Sequence, residues 1–352
     1  MDTQVPIRAS ELEASMLEPV AEGLTQPWSM AFLPEGGLLV TEKSGELLLI
    51  EGGNRRVIGG LPDIVSIGQG GLMDVVLHPG YEENGWIYIS YVSPTGDQPG
   101  GNTAVLRGRL EEESLVDVEV LYKAGPNTEV GRHFGSRLAF DRGGYLFFSI
   151  GDRGARDENP QDITKDGGKV YRLHDDGRVP ENNPFVGQAG SKEAIYSYGH
   201  RNPQGMALHP DTGKIWIHEH GPKGGDEINV IEAGKNYGWP LVTFGVNYSG
   251  TPITNKTASP HMEDPLFHWT PSIAPSGMAF VTSDRYPDWE GSLLVGSLKF
   301  AYLERLVLLD GEVVEREKLL DGAGRMRDVM QGPDGYIYVS IEGRGIFRIL
   351  PM

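Results

Sequence analysis

One phrase of hydrophobic and polar positions recurs along the chain. A small or apolar cluster runs into a Pro, Asp or Gly turn, and an alternating apolar run follows. It reads SMAFLPEGGLLVTE from Ser29 and GLMDVVLHPGYEENGWIYISYV from Gly71. It returns as SRLAFDRGGYLFFSIGD from Ser136 and GMALHPDTGKIWIHEHG from Gly205, then as GMAFVTSDRYPDWEGSLLVGSL from Gly277 and RDVMQGPDGYIYVSIEG from Arg327. Alternation with period two on either side of a tight turn predicts two short strands per copy. A third strand follows in GELLLIEG, GGKVYRLHDDG, DEINVIEAG and GIFRILP. Copies lie about 45 to 70 residues apart, the spacing of propeller blades with variable loops. Helical periodicity is nearly absent. The acidic stretch Glu11–Glu18 is its best candidate, and it is short.

Six such copies predict an all-β fold, a six-bladed β-propeller with four-stranded antiparallel blades. A closed ring leaves few exposed sheet edges. The last copy ends with Gly345–Leu350 and lacks an outer strand of its own, so the segment Leu17–Leu24 is expected to supply it and lock the ring. On this reading residues 1–16 are an N-terminal extension and residues 17–352 a single domain. A pair of packed β-sheets is the alternative, but six similar phrases fit two sheets poorly.

Composition narrows the function. The 352 residues include 49 glycines and 24 prolines, as many turns require, and 39 % are hydrophobic, enough for a large core. Lys and Arg number 31 against 49 Asp and Glu, a net charge of −18, which argues against nucleic-acid or anionic-membrane binding. The chain has no cysteine, so disulfides, thiol nucleophiles and Cys-ligated metals are excluded. No apolar run is long enough to span a bilayer. The first twenty residues, MDTQVPIRASELEASMLEPV, lack the basic and apolar regions of a signal peptide. A periplasmic or secreted protein whose signal peptide is absent from this sequence is expected, with the cytoplasm as the alternative.

In a propeller the loop entering each innermost strand opens onto the central channel. Unusual polar residues occupy those loops: Gln69 in GQGGLMD, His133 in GRHFGSR, Arg201 and Asn202 in YGHRNPQG, Arg325 and Arg327 in GRMRDV. Beyond the paired strands come Asp152 in SIGDRG, the run His220-Gly221-Pro222, and Lys299 in GSLKF. Arg201, Lys299, Arg325 and Arg327 at one channel mouth would repel one another without an anion among them. The grouping predicts a ligand with several carboxylates or phosphates, gripped by arginine forks. Taken singly, each arginine also reads as a salt-bridge partner and His133 as an ordinary loop histidine. Their shared position in the repeat favours the site. Backbone carbonyls at Gly221 and Pro222 suit a hard cation such as calcium, and Asp226 and Glu227 read as either ligands or turn caps.

Together GQGG, RHFGSRLAFD, SIGDRG, GHRNPQGMALHP, EHGPKGGDEIN, AGKNYGWP, GSLK and GRMRDV resemble the soluble PQQ-dependent sugar dehydrogenases, most nearly their broad-specificity aldose branch. The order is kept from about Pro27 to the C-terminus. The resemblance implies a propeller holding pyrroloquinoline quinone (PQQ) and calcium at its channel mouth. It makes His133 the general base for the anomeric hydroxyl, with Asp152 beside it. It sets Arg201 against the quinone carbonyl, where developing negative charge is stabilised. Gln69, Asn202, Lys299, Arg325 and Arg327 match cofactor-holding residues, and Gly221 and Pro222 match the carbonyls of the catalytic calcium. Trp269 and Ser272 map loosely onto a tryptophan–threonine pair of the glucose-specific members. Thr243, Gly245, Asn247 and Glu263 align with a second, structural calcium site, where Asn replaces Asp. A glutamine of the glucose enzymes has no counterpart in Arg153–Asp157, and long loops of the dimeric enzymes are missing, which implies a monomer.

The expected activity is oxidation of aldoses, glucose among them, to lactones, with electrons passed to an external acceptor. Two rival classes are a calcium-dependent lactonase propeller, whose site is carboxylate-rich, and a non-catalytic recognition propeller.

Overall fold

The computed structural model describes residues 5–10 and 12–351. Its strands form six sheets arranged as blades. Blade 1 comprises Pro27–Phe32, Leu38–Glu42, Leu47–Glu51 and Asn54–Ile58, from the channel outward. Blade 2 comprises Leu72–Leu77, Trp86–Ser93, Asn102–Glu111 and Ser114–Lys123. Blade 3 comprises Leu138–Phe140, Leu146–Ile150, Lys169–Leu173 and Ile195–Tyr198. Blade 4 comprises Pro203–Leu208, Ile215–Glu219, Asp226–Val230 and Phe267–Trp269. Blade 5 comprises Pro275–Phe280, Leu293–Ser297, Tyr302–Leu309 and Glu312–Leu319. Blade 6 comprises Met326–Gln331, Ile337–Ile341 and Gly345–Ile349.

Leu17–Glu22 completes blade 6 by pairing antiparallel to Gly345–Ile349, so the chain's two ends close the ring as expected. The expected helix does not form: Ala14–Met16 makes one 3-10 turn, and the chain then enters that closing strand. Three residues are too few to sustain a helix nucleus. Ile7–Ala9 adds a fifth strand to blade 5, parallel to Glu312–Leu319. The sequence pattern gave no sign of it.

Each blade interface buries its own apolar cluster. The second strand of a blade is buried on both faces, so alternate side chains serve opposite neighbours. In blade 3, Leu146, Phe148 and Ile150 pack toward blade 2, whereas Phe147 packs with Ile215 and Ile217 of blade 4. In blade 1, Leu39 joins Leu72 and Ile87 of blade 2, whereas Leu38 and Val40 join Tyr338 and Ile346 of blade 6. This double duty explains why the second strands read as nearly unbroken apolar runs.

Arg137 ties the blades together in the channel. Its guanidinium reaches Asp328 at 2.9 Å and Asp74 at 3.5 Å, and donates to the carbonyls of Gln204 (2.8 Å) and Arg327 (2.9 Å). Blades 2, 3, 4 and 6 therefore meet at one buried cation, which forms the floor beneath the channel mouth.

Candidate active site

The inner-strand loops converge as the repeat predicts. His133 has a left-handed backbone (φ 55°) and is held by its own N–H, which donates to the Gln69 side chain at 2.8 Å. Its carbonyl lies against Gly151, where an added Cβ would sit 2.4 Å from the His133 oxygen and 2.7 Å from the Asn202 side chain. Only glycine permits that approach. Three entry loops are thereby drawn into one corner.

His133 Nδ1 lies 2.6 Å from Asp152 Oδ1. The other Asp152 oxygen accepts from the Trp239 indole at 2.9 Å, and Oδ1 also accepts from the Gly154 amide at 2.7 Å. Burial raises the Asp152 carboxyl, but the hydrogen bond and charge of His133 and the charge of Arg201 outweigh it and hold the group below its ordinary range. Burial likewise drives the His133 imidazole below its usual value, helped by Arg201 and opposed by Asp152. The pair is therefore a carboxylate and a neutral imidazole. With Nδ1–H directed at Asp152, Nε2 carries the free lone pair.

Arg201 donates from its guanidinium to the carbonyls of His220 at 2.9 Å and Gly221 at 3.0 Å, and faces the Trp239 ring at 5.4 Å. Its backbone N–H donates to Glu219 at 2.5 Å, while the other Glu219 oxygen lies 2.8 Å from His200 Nδ1. Glu219 has counterparts in Glu42 and Glu342. All three close or follow the second strand of their blade and grip the loop that enters the first. Glu42 accepts from Thr25 and Gln26, and Glu342 from Arg325 and Arg327.

Two adjoining cavities share Gln69, Pro222 and Tyr248. The first, about 510 Å³, is lined by His133, Asp152, Arg201 and Trp239 together with Arg132, Arg156, Asp157 and Glu158. The second, about 590 Å³, is lined by Asn202, Ser272, Lys223, Lys299, Arg325 and Arg327, and no carboxylate faces it. The charge argument needs one correction. Arg325 and Arg327 do not stand uncompensated, because Glu342 pairs with both, at 2.6 and 2.5 Å. Lys223 and Lys299 restore the positive excess, and Lys43 nearby is held below its normal range by burial and by Arg327.

Trp269 is not brought to either cavity. It is 1 % exposed, packs in the core between blades 4 and 5, and donates to Glu304 at 3.1 Å. It belongs to the outer strand of its blade, away from the channel, and so cannot reach a ligand there. The side chains of the second metal set are engaged elsewhere. Glu263 pairs with Lys235 at 2.9 Å, Asn247 accepts from Arg156 at 2.8 Å, and Thr243 Oγ1 accepts from the Gly245 amide at 3.0 Å. Among the described residues no group of three or more acidic or histidine side chains has metal-binding geometry. Asp226 positions the loops: it accepts from the amides of Gly221 (2.8 Å), Ile273 (2.7 Å) and Ala274 (3.0 Å). Burial, and then the adjacent Glu219 carboxylate, pushes the neighbouring Glu227 upward. Trp239, Lys223, Tyr248, Glu219 and Glu342 escaped the sequence reading. The three equivalent carboxylates were its one available signal.

A six-bladed propeller brings a histidine–aspartate pair and a carboxylate-free cationic cavity, suited to an anionic ligand, to one channel mouth. The chain belongs to the glucose/sorbosone dehydrogenase family, which it matches over residues 24–348. It is 43 % identical over 331 residues to aldose sugar dehydrogenase YliI of Escherichia coli (strain K12), covering 92 % of this chain and 89 % of that one. The crystal structure of the E. coli soluble aldose sugar dehydrogenase in its apo form superposes with a TM-score of 0.92 at 41 % identity, over 96 % of this chain and 99 % of that one. The PQQ-bound aldose sugar dehydrogenase of Streptomyces coelicolor gives 0.78 at 28 % identity, over 98 % of each chain.

Proposed function

We propose that this protein oxidises the anomeric hydroxyl of aldoses to the corresponding lactone, with PQQ as hydride acceptor. The observation that carries the reading is the pair of joined cavities, one presenting the Asp152-paired His133 imidazole and the other four cations with no facing carboxylate. That donor set fits a planar tricarboxylate: Lys299, Arg325 and Arg327 would meet its carboxylates, with Asn202, Ser272 and Gln69 as neutral partners. The carbonyls of Gly221 and Pro222 would hold calcium, with the Gly221 oxygen also accepting from Arg201. When bound, the quinone accepts the hydride and the calcium polarises it.

The chain's own residues do the rest. His133 Nε2 takes the proton from the anomeric hydroxyl as the C–H bond yields its hydride. Asp152 fixes the tautomer and stabilises the imidazolium that results. Arg201, locked by Glu219 and the loop carbonyls, would present its positive charge to the bound acceptor. The hydrolase alternative needs carboxylates around a central metal, which the second cavity's lining does not offer. The test is reduction of a dye by purified protein given glucose or another aldose. Reduction should require both PQQ and calcium. Lactone hydrolysis in their absence, without dye reduction, would contradict the reading.

A further inference from the structure

The hairpin 246–252 presents a largely exposed aromatic ring to the cleft. Tyr248 is 73 % exposed, yet it lines both cavities at their junction. A ring at the junction of the two cavities offers its apolar face to a ligand in the cleft. The hairpin is not loose. Val246 bridges Pro252, Asn247 N–H donates to the Thr251 carbonyl at 2.9 Å, and the Asn247 side-chain amide donates to Thr251 Oγ1 at 3.1 Å and to the Pro252 carbonyl at 3.2 Å. Asn247 Oδ1 accepts from Arg156 Nη1 at 2.8 Å, and both residues line the first cavity. The asparagine aligned with a metal ligand is thus a tie between the 246–252 hairpin and the loop that carries Asp152.

We propose that this hairpin is a sugar clasp, with Tyr248 stacking on the pyranose ring of the aldose where the two cavities meet. The chemistry matches: the axial C–H hydrogens of a pyranose are weakly positive and meet the negative face of an aromatic ring, while hydroxyls at the ring edge find the polar groups of the first cavity. The inference rests on the dehydrogenase reading and names a substrate contact within it.

The test uses the PQQ- and calcium-loaded protein with 1,5-anhydroglucitol, a glucose analogue lacking the anomeric hydroxyl, which binds without being oxidised. Calorimetry should show Tyr248→Ala weakening the analogue about tenfold. Tyr248→Phe should retain it, and the affinity of the apo protein for PQQ should be the same in all three. Unchanged analogue binding in Tyr248→Ala overturns the clasp and leaves the dehydrogenase reading intact. Loss of PQQ affinity in that variant also overturns it, by making Tyr248 a cofactor residue. Failure of the unaltered protein to take up PQQ at all removes the parent reading and the clasp with it.

Discussion

His133 works as a base only while Nε2 is free, and two residues decide that. Burial favours the neutral ring, and Asp152 accepts from Nδ1, so the unshared pair points to the cleft. The sign of the pH dependence follows. A base whose proton affinity is depressed becomes competent at a pH below the ordinary histidine value of 6.5. The kcat/KM of the loaded enzyme should therefore rise along an acid limb centred below 6.5 and flatten above it; a limb centred higher would contradict the burial argument. His133→Ala should lower turnover by about 10²–10⁴-fold with PQQ binding retained, the span for loss of a general base. At this scale the sequence was informative where position in the repeat set the role. Gln69, His133, Arg201 and Asn202 enter the channel because their loops do. It was misleading where a role depended on facing: Trp269 looked like a cofactor contact and is a core residue. Glu342 was missed because its pairing with two arginines becomes visible only once its position after the second strand is set beside those of Glu42 and Glu219.

Among elements, the strand that closes the ring is the most exacting. Gly345 begins the strand that pairs with Leu17–Glu22, at φ 137°, and an added Cβ would lie 1.9 Å from the Ala21 carbonyl oxygen. Backbone cannot yield to that contact without displacing the closing strand. Gly345→Ala should cost about 2 kcal/mol or more and lower Tm, read by thermal unfolding. An unchanged Tm would show that the seam contributes little. Blades were legible because two strands and a turn repeat as one phrase, and the Leu17–Leu24 strand was legible because the sixth copy lacked a partner. The three-residue strand Ile7–Ala9 was not, since all its residues lie at the surface and carry no alternation to read.

For the molecule as a whole, Arg137 is the element common to the blades and the site. It pairs with both Asp74 and Asp328 and holds the Arg327 carbonyl from below. Arg137→Gln would leave two buried carboxylates without a cation, a loss of about 3–5 kcal/mol. The loss should shrink in acid. Burial already raises Asp74, and pushes Asp328 up to about 6, so the penalty of the charged forms applies above that pH and is relieved as protons bind below it. Denaturant unfolding of the variant and the unaltered protein at pH 5 and pH 8 should show the wider gap at pH 8. Equal gaps would argue that Arg137 acts by packing alone. The same floor sets the height of Arg327 and thus the shape of the cationic cavity, which links the ring's stability to its chemistry.

The cavity's charge is the point on which function turns, and titration of PQQ into calcium-loaded protein reads it directly. One PQQ should bind per chain, and Arg325→Ala/Arg327→Ala, which leaves Glu342 unpaired at the mouth, should weaken it about tenfold or more. Equal affinity in the double variant, or no uptake by the unaltered protein, would contradict the account.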